Sequence, residues 1–414
     1  MRIETKIIFT LLALFLYISV VSQTVQTIKK GLILNKVDST AMPFVNIYSD
    51  IYKIGTVTNE LGEFILSVPN TILNNEITIS CLGFFNKKIS FDKMKDTIFL
   101  SPSVEILKEV IVSNNTPRFS SVVDSIYARL KNNYSNKRHL LKAFYRESAI
   151  RDSMYVRIIE ADIGIQEYGI KKTLDRDRIK VYQYRRGNNL QSSWQRKFIK
   201  VASRIFSMNQ MVWLKNNDFI KNFSKNEKYK VYYKNILNNF IFDYHSTTTI
   251  NNTPVFVFSF YSKDFKNLNL TENQISKIYV NANDYAVIRF EWVQGLNKYN
   301  SFLEMSKNIY NYAKIGDFYY LTNVSRKSNF KKEYINYNMY VYKVNINRKE
   351  YSKIKRKVAE NAFVDFGYKK YKYDSIFWKN YKILPEIPLK VKMQSLIEIE
   401  KKLGKQYQDN SNGI

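Results

Sequence analysis

The chain has 414 residues, 45% of them hydrophobic, with 32 Tyr and 27 Phe but only 7 Pro and 12 Gly. That composition excludes a collagen-like or low-complexity protein and supplies apolar material for more than one core. A single cysteine, Cys81, excludes an intrachain disulfide, and a net charge of +29 spread from Lys29 to Lys405 lacks the clustering of a nucleic-acid binder, leaving a solvated basic surface with weak attraction to anionic lipid or polysaccharide.

At the start of the chain, Arg2 and Lys6 lead into the uncharged apolar run Ile7–Val21, shorter than the ~20 residues of a membrane-spanning helix. This is the pattern of a cleavable secretion signal, with Val20 and Ser22 small enough for the −3 and −1 positions, so residues 1–22 read as a signal peptide. The expected location is the periplasm or the outer membrane of a Gram-negative envelope. No cysteine follows the apolar run, so a lipoprotein anchor is not expected.

Residues 23–113 read as a small β-sandwich, because short β runs alternate with turn chemistry. The runs are Gly31–Asn35, Pro43–Tyr48, Gly55–Thr58, Phe64–Val68, Glu76–Ser80, Asp96–Leu100 and Val110–Val112, with Gly62 closing the turn that begins at Asn59. The order "GLILNKVDSTAMPFVNIYSDIYKIGTVTNELGEFILSVP", then "ITISCLGF", then "EILKEVIV" resembles the carboxypeptidase-regulatory-like domain found at the front of exported Bacteroidetes proteins. The matching positions are Gly31, Pro43, Val45, Gly55, Thr56, Thr58, Gly62, Phe64, Ser80, Gly83, Leu107, Glu109 and Val110; Asn59 and Cys81 depart from the pattern, which usually has Asp and often an aromatic there. The resemblance implies a transthyretin-like sandwich and no enzymatic activity.

Residues 114–139 form a connector with one helix. Ser121 and Asp124 suggest a capping box, and Val122, Val123, Ile126, Tyr127 and Leu130 fall at helical spacing on a face that would dock on the next domain. Residues 140–375 read as an antiparallel β-rich domain. Strands are expected at Ala143–Glu147, Met154–Tyr168, Lys228–Tyr233, Phe240–Thr248, Pro254–Ser262, Ser276–Val280, Ala286–Trp292, Phe302–Ile315, Phe318–Lys327 and Tyr334–Asn347. A helical or irregular insertion is expected over Leu174–Asn222, where Phe198, Val201, Ile205 and Met208 recur every three to four positions. The hairpin rhythm of "ISKIYVNANDYAVIRFEW" and "NYAKIGDFYYLTNVSRKS" resembles the half-barrel of bacterial lipoprotein carriers, which implies a sheet curved around a helix. Scattered Lys and Asn argue against an outer-membrane barrel. Residues 376–414 read as a C-terminal helix, Lys390–Leu403, and a polar tail. The fold class is therefore mainly β with some α: an N-terminal β-sandwich followed by a larger antiparallel curved, half-barrel-like sheet with flanking helices.

No catalytic constellation is apparent. His139 and His245 are followed three residues later by Lys142 and Thr248, so neither starts a zinc-peptidase motif. His139 reads as a helix-end or surface residue, His245 as a strand residue, and Cys81, in an apolar run, as a buried core thiol. No nucleophile elbow or phosphate-binding loop is present. The carboxylates Glu147, Asp152, Glu160 and Asp162 come from neighbouring strands, and Glu160 and Asp162 share a face by the two-residue period. They are the only group that suggests a hydrolase of envelope polymer. Tyr233, Tyr244, Phe256, Phe258, Phe260, Tyr279, Phe290 and Trp292 suit either a lipid or sugar cavity or ordinary sheet packing. These features favour an exported, non-catalytic binding or scaffold protein engaging lipid, glycan or a partner protein, with no catalytic, cofactor-binding or metal site, no cofactor and no nucleic acid, and leave its oligomeric state open.

Overall fold

Strict alternation of apolar and polar side chains fixes which face of each strand is buried, and here it builds two β modules joined by a helix. In a computed structural model the described residues are 26–49, 51, 52, 54–59, 61–70, 74–81, 84–102, 117–151, 154–170, 177–188, 220, 238–250, 253–330, 333–352, 354, 371–381, 405, 406 and 408. The expected signal peptide, the strands at Val110–Val112 and Lys228–Tyr233, and the helix at Lys390–Leu403 lie outside them.

The first module contains β1 (Gln26–Asn35), β2 (Asn46–Ser49), β3 (Ile54–Val57), β4 (Glu63–Pro69), β5 (Glu76–Ser80), β6 (Lys87–Ser90) and β7 (Thr97–Leu100). One sheet runs β4-β1-β7 and the other β3-β2-β5-β6. Between them Ile33, Val45, Ile47, Phe64, Val68, Ile77, Ile79 and Phe91 are almost wholly buried. Strand β6 was not anticipated; its sequence, KKIS, puts charge on an edge strand and is too short to show a period. At the β3–β4 turn, Asn59 Oδ1 accepts from the Leu61 and Glu63 backbone N–H groups and its amide donates to Glu63 Oε2 at 2.9 Å. The departure from Asp thus adds a donor, and Gly62 takes the positive φ of 75° that the turn requires.

The second module is a curled antiparallel sheet formed by β8 (His139–Arg151), β9 (Met154–Glu167), β10 (Arg178–Asn188), β11 (Phe240–Ile250), β12 (Thr253–Ser262), β13 (Ser276–Asn281), β14 (Val287–Lys298), β15 (Ser301–Ile315), β16 (Phe318–Phe330) and β17 (Glu333–Asn345). The spatial order is β11-β12-β13-β14-β15-β16-β17-β8-β9-β10. Strand β10 corrects residues 178–188 of the expected helical or irregular segment at Leu174–Asn222, and the rest of that segment, with Phe198, Val201, Ile205 and Met208, lies outside the described residues apart from 177 and 220. A bulge between Val181 and Gln183 breaks its alternation, which hides a strand from periodicity.

Helix α1 (Phe119–Asn133) lies across the inner face. Phe119 stacks on Phe242 of β11 at 4.1 Å, and Tyr134 bridges Tyr319 of β16. Val122, Ile126 and Leu130 are buried in the same cluster as Ala143, Ile163, Phe258 and Tyr310, each contributing about 1.5–3 kcal/mol. Two details of the helix differ from expectation. The cap residue is Arg118, and Ser121 lies inside the helix with its hydroxyl donating back to Arg118 O, so no capping box forms and the helix starts three residues earlier than a cap at Ser121 implies. Tyr127 faces solvent, at 46% exposure. Two short helices follow the sheet: α2 (Arg348–Tyr351) and α3 (Ser375–Asn380). Asp374 caps α3, accepting from Phe377 N at 2.9 Å.

The modules meet where β3 pairs with β17 at Ile54 and Lys343. A small shared cluster of Val57, Phe144, Tyr340 and Trp378, flanked by Phe44 and Tyr381, joins the sandwich, the sheet and α3.

Candidate functional site

Residue parity divides the chemistry of the sheet between its faces. On β8 and β9 the odd positions Leu141, Ala143, Tyr145, Ile159, Ala161 and Ile163 enter the inner core, so the even positions Arg146, Glu160 and Asp162 point outward. Glu160 lies between two guanidinium groups, with Arg146 Nε donating at 2.7 Å and Arg185 Nε donating to its other oxygen. Burial pushes the Glu160 carboxyl up, but Arg185 and Arg146 outweigh it and hold the pKa below the ordinary carboxylate value. Arg185 also sits 4.4 Å over the Trp378 ring. Asp162 accepts from the Tyr342 and Tyr381 hydroxyls, each at 2.8 Å. Here burial dominates, and the Asp162 pKa is raised.

The expected carboxylate group is therefore split. Glu160 and Asp162 share the outer face as predicted, Glu147 faces inward and accepts from Tyr145 OH at 3.1 Å, and Asp152 lies outside the described residues. Glu160 and Asp162 are engaged by side chains of the sheet and α3, which suits structural roles.

The histidines also separate. His139 corrects its surface reading: it is 3% exposed, begins β8, contacts Lys137 O through Nδ1 at 3.0 Å and Glu167 through Nε2 at 3.1 Å, and packs edge-on to Tyr320. His245 is an exposed strand residue, as expected; burial together with Lys277 lowers its pKa. No cluster of three potential metal ligands occurs among the described residues.

Of the eight aromatics singled out from the sequence, Phe258, Phe260 and Phe290 are core residues, with Tyr244, Phe256 and Trp292 packed against them. Tyr279, paired with Arg289, is on the opposite face, and Tyr233 is outside the described residues. The row Phe242, Phe260, Phe290 and Tyr310, with successive ring centroids 5.3, 5.8 and 6.4 Å apart, is packed interior.

Sequence reasoning did not name a cleft of about 280 Å³ between the sandwich and the second module. The sandwich contributes Phe44, Asn46, Tyr48, Cys81 and Asn86, and the sheet contributes Asn281, Arg289, Asn311, Tyr312, Lys314 and Tyr319. Cys81 thus corrects the core-thiol reading: it is half-buried, packed on the sandwich core from the cleft side. Arg289 is oriented by Glu291, to which its Nε donates at 2.6 Å, and by Asn311, to which Nη1 donates at 3.3 Å. Lys307 shares Glu291 at 3.2 Å. Burial pushes the Glu291 carboxyl up, but Arg289 and Lys307 hold it below its usual value. Among the described residues that line the cleft, Arg289 and Lys314 are cationic and none is a carboxylate; Glu291 and Asp284 stand directly behind Arg289 and Tyr319. Tyr319 OH donates to Asp284 at 3.0 Å and accepts from Asn281 at 3.1 Å, fixing one wall. The sequence signal for this site is the alternation of Arg289 and Glu291 through the apolar strand VIRFEW, which identifies a polar outer face but not what covers it.

No family model matches the chain, and no curated protein is similar to it. Among solved structures, a LolA-superfamily protein from Nitrosomonas europaea is 10% identical with a TM-score of 0.26, over 59% of this chain and 99% of that one. A putative outer-membrane lipoprotein-sorting domain from Vibrio parahaemolyticus is 9% identical with a TM-score of 0.27, over 56% and 97%. A DUF1329-family protein from Desulfovibrio piger is 10% identical with a TM-score of 0.27, over 57% and 99%. Values this low carry no function from those proteins to this one.

Proposed function

We propose that this chain is an exported, non-catalytic binding protein of the cell envelope whose inter-module cleft holds a small carboxylate bearing hydroxyl groups, the chemistry of a sugar acid. The observation that carries this reading is the cleft lining. Arg289 and Lys314 supply positive charge, Asn46, Asn86, Asn281 and Asn311 supply amides, and Phe44 and Tyr48 supply ring faces, while the one carboxylate that Arg289 meets, Glu291, is shared with Lys307 behind the lining. A guanidinium pre-oriented by two partners loses little freedom on meeting a carboxylate. Amides pair with hydroxyls, and aromatic faces accept the apolar face of a sugar ring. Pockets with a few convergent polar groups at a domain boundary are the usual place for such ligands. The sandwich, on this reading a carboxypeptidase-regulatory-like module, forms one wall of the site.

Calorimetric titration of the chain with glucuronate, using glucose as the neutral control, tests the proposal. Glucuronate is expected to bind and to raise the melting temperature, with both effects lost in Arg289→Gln. Equal responses to the two sugars, or an Arg289→Gln variant that binds as well as the parent, would overturn it. The hydrolase alternative draws no support from Glu160 and Asp162, which are buried and bonded to side chains of the protein itself.

A further inference from the structure

The hairpin joining β14 and β15 outruns both of its neighbours. Strand β13 pairs with β14 only as far as Glu291, and β16 pairs with β15 only from Ser306. Residues 295–305 therefore continue as a two-stranded ribbon whose ladder bonds are internal among the described residues, from Gly295 opposite Glu304 to Lys298 opposite Ser301. From Gly295 to Tyr299 the ribbon extends roughly 13 Å beyond its neighbours, and its tip lies at most about 33 Å along the strand from Arg289, at the rate of a β-strand rise.

An isolated ribbon in water normally turns polar side chains outward, and this one exposes Asn297, Lys298, Asn300 and Ser301 but also large apolar side chains. Leu296 and Leu303 stand directly opposite each other, 55% and 46% exposed, and Tyr299 at the tip is 90% exposed. Tyr299 and Asn300 both have positive φ, 52° and 58°, a two-residue turn geometry that favours Asn and Gly. A bulky ring in that conformation, 90% exposed and met by the Lys298 ammonium at 5.4 Å from its centroid, is an outlier that points to a role beyond packing. The ribbon is also braced: Phe302 packs edge-on to Phe265 at 5.0 Å, and a Cβ at Gly295 would fall 2.2 Å from the Phe302 ring. Lys298 shares the face of Leu296 and Leu303, and on the other face, beside Phe302 and Phe265, Lys263, Asp264 and Lys266 are exposed.

We infer that this ribbon is a membrane-contact device that inserts Leu296, Leu303 and Tyr299 into the headgroup region of an anionic lipid surface while Lys298, Lys263 and Lys266 engage the lipid phosphates. Tyrosine and lysine around aliphatic side chains are the residues that the membrane interface selects, and the basic chain, at +29, is attracted to an anionic leaflet. A protein partner fits less well. Three side chains offer a few hundred Å² at most, below the roughly 800 Å² per partner of a stable protein interface. This inference does not depend on the cleft having a ligand.

Vesicle flotation of the full chain tests it, because comparing parent and variant cancels any contribution of the apolar segment Ile7–Val21. The parent is expected to float with phosphatidylcholine vesicles containing phosphatidylglycerol, to float less with phosphatidylcholine alone, and to lose the difference at high salt. The combined variant Leu296→Ser, Tyr299→Ser, Leu303→Ser is expected to float roughly tenfold less with an unchanged melting temperature, since all three side chains are exposed. Lys298→Glu is expected to weaken only the phosphatidylglycerol-dependent part. Equal flotation of parent and triple variant overturns the inference, as does a parent that fails to float. A parent dimer that the triple variant dissociates, without lipid binding, overturns it in favour of contact with a second copy.

Discussion

The outer face of the curled sheet carries the same chemistry twice and uses it differently. At β8 and β9, Glu160 is shared by Arg146 and Arg185; at β14 and β15, Glu291 is shared by Arg289 and Lys307. The first group is sealed beneath α3, with the Arg146 and Glu160 side chains 2% and 4% exposed. The second opens on the cleft, with Arg289 24% exposed. An acid flanked by two cations becomes a structural element when a helix excludes water from it, and a ligand-facing one when a wall stands back from it.

The most decisive way to break this comparison is to remove the sealed acid. Glu160→Gln strands two cations, one of them fully enclosed, and is expected to destabilise the protein by about 3–5 kcal/mol, read by chemical denaturation. If the loss is no greater than for Arg289→Gln, the two sites do not differ as described. Trp378→Ala removes the buried ring beneath Arg185 and opens the cluster that joins the modules, with an expected cost of about 3 kcal/mol. Its unfolding curve is expected to broaden or split, because sandwich and sheet lose a shared contact. Arg289→Gln, at the open site, is expected to cost about 1 kcal/mol or less, since Lys307 still neutralises Glu291.

Proton linkage sharpens the contrast within the sealed site. Glu160 has a lowered folded pKa, so its contribution is present above the ordinary value of 4.5 and is lost as pH falls through the folded value. Asp162 has a raised folded pKa, so its contribution is full below 3.8 and is lost as pH rises through the folded value. Asp162→Asn is therefore expected to gain stability relative to the parent as pH rises from below 3.8 toward neutrality. A difference between the two proteins that does not change with pH would contradict the burial argument.

What the sequence determined is whatever depends on neighbours along the chain. Two-residue alternation located most strands, turn chemistry located the hairpin at Asn59–Gly62, and parity put Glu160 and Asp162 on one face. Together these made the order of sandwich, helix and curled sheet legible. Where local order breaks, the reading failed, as at the β10 bulge and at α1, which starts at Phe119 with Arg118 as an N-cap that makes no side-chain capping bond. Tertiary structure alone decided the sites. Asp162 meets tyrosines 180 and 219 residues away, and Arg289 meets a wall built from the other module. A strand's pattern states which side chains share a face, but burial, charge balance and access to water depend on what the rest of the chain lays over that face, and no local period encodes this.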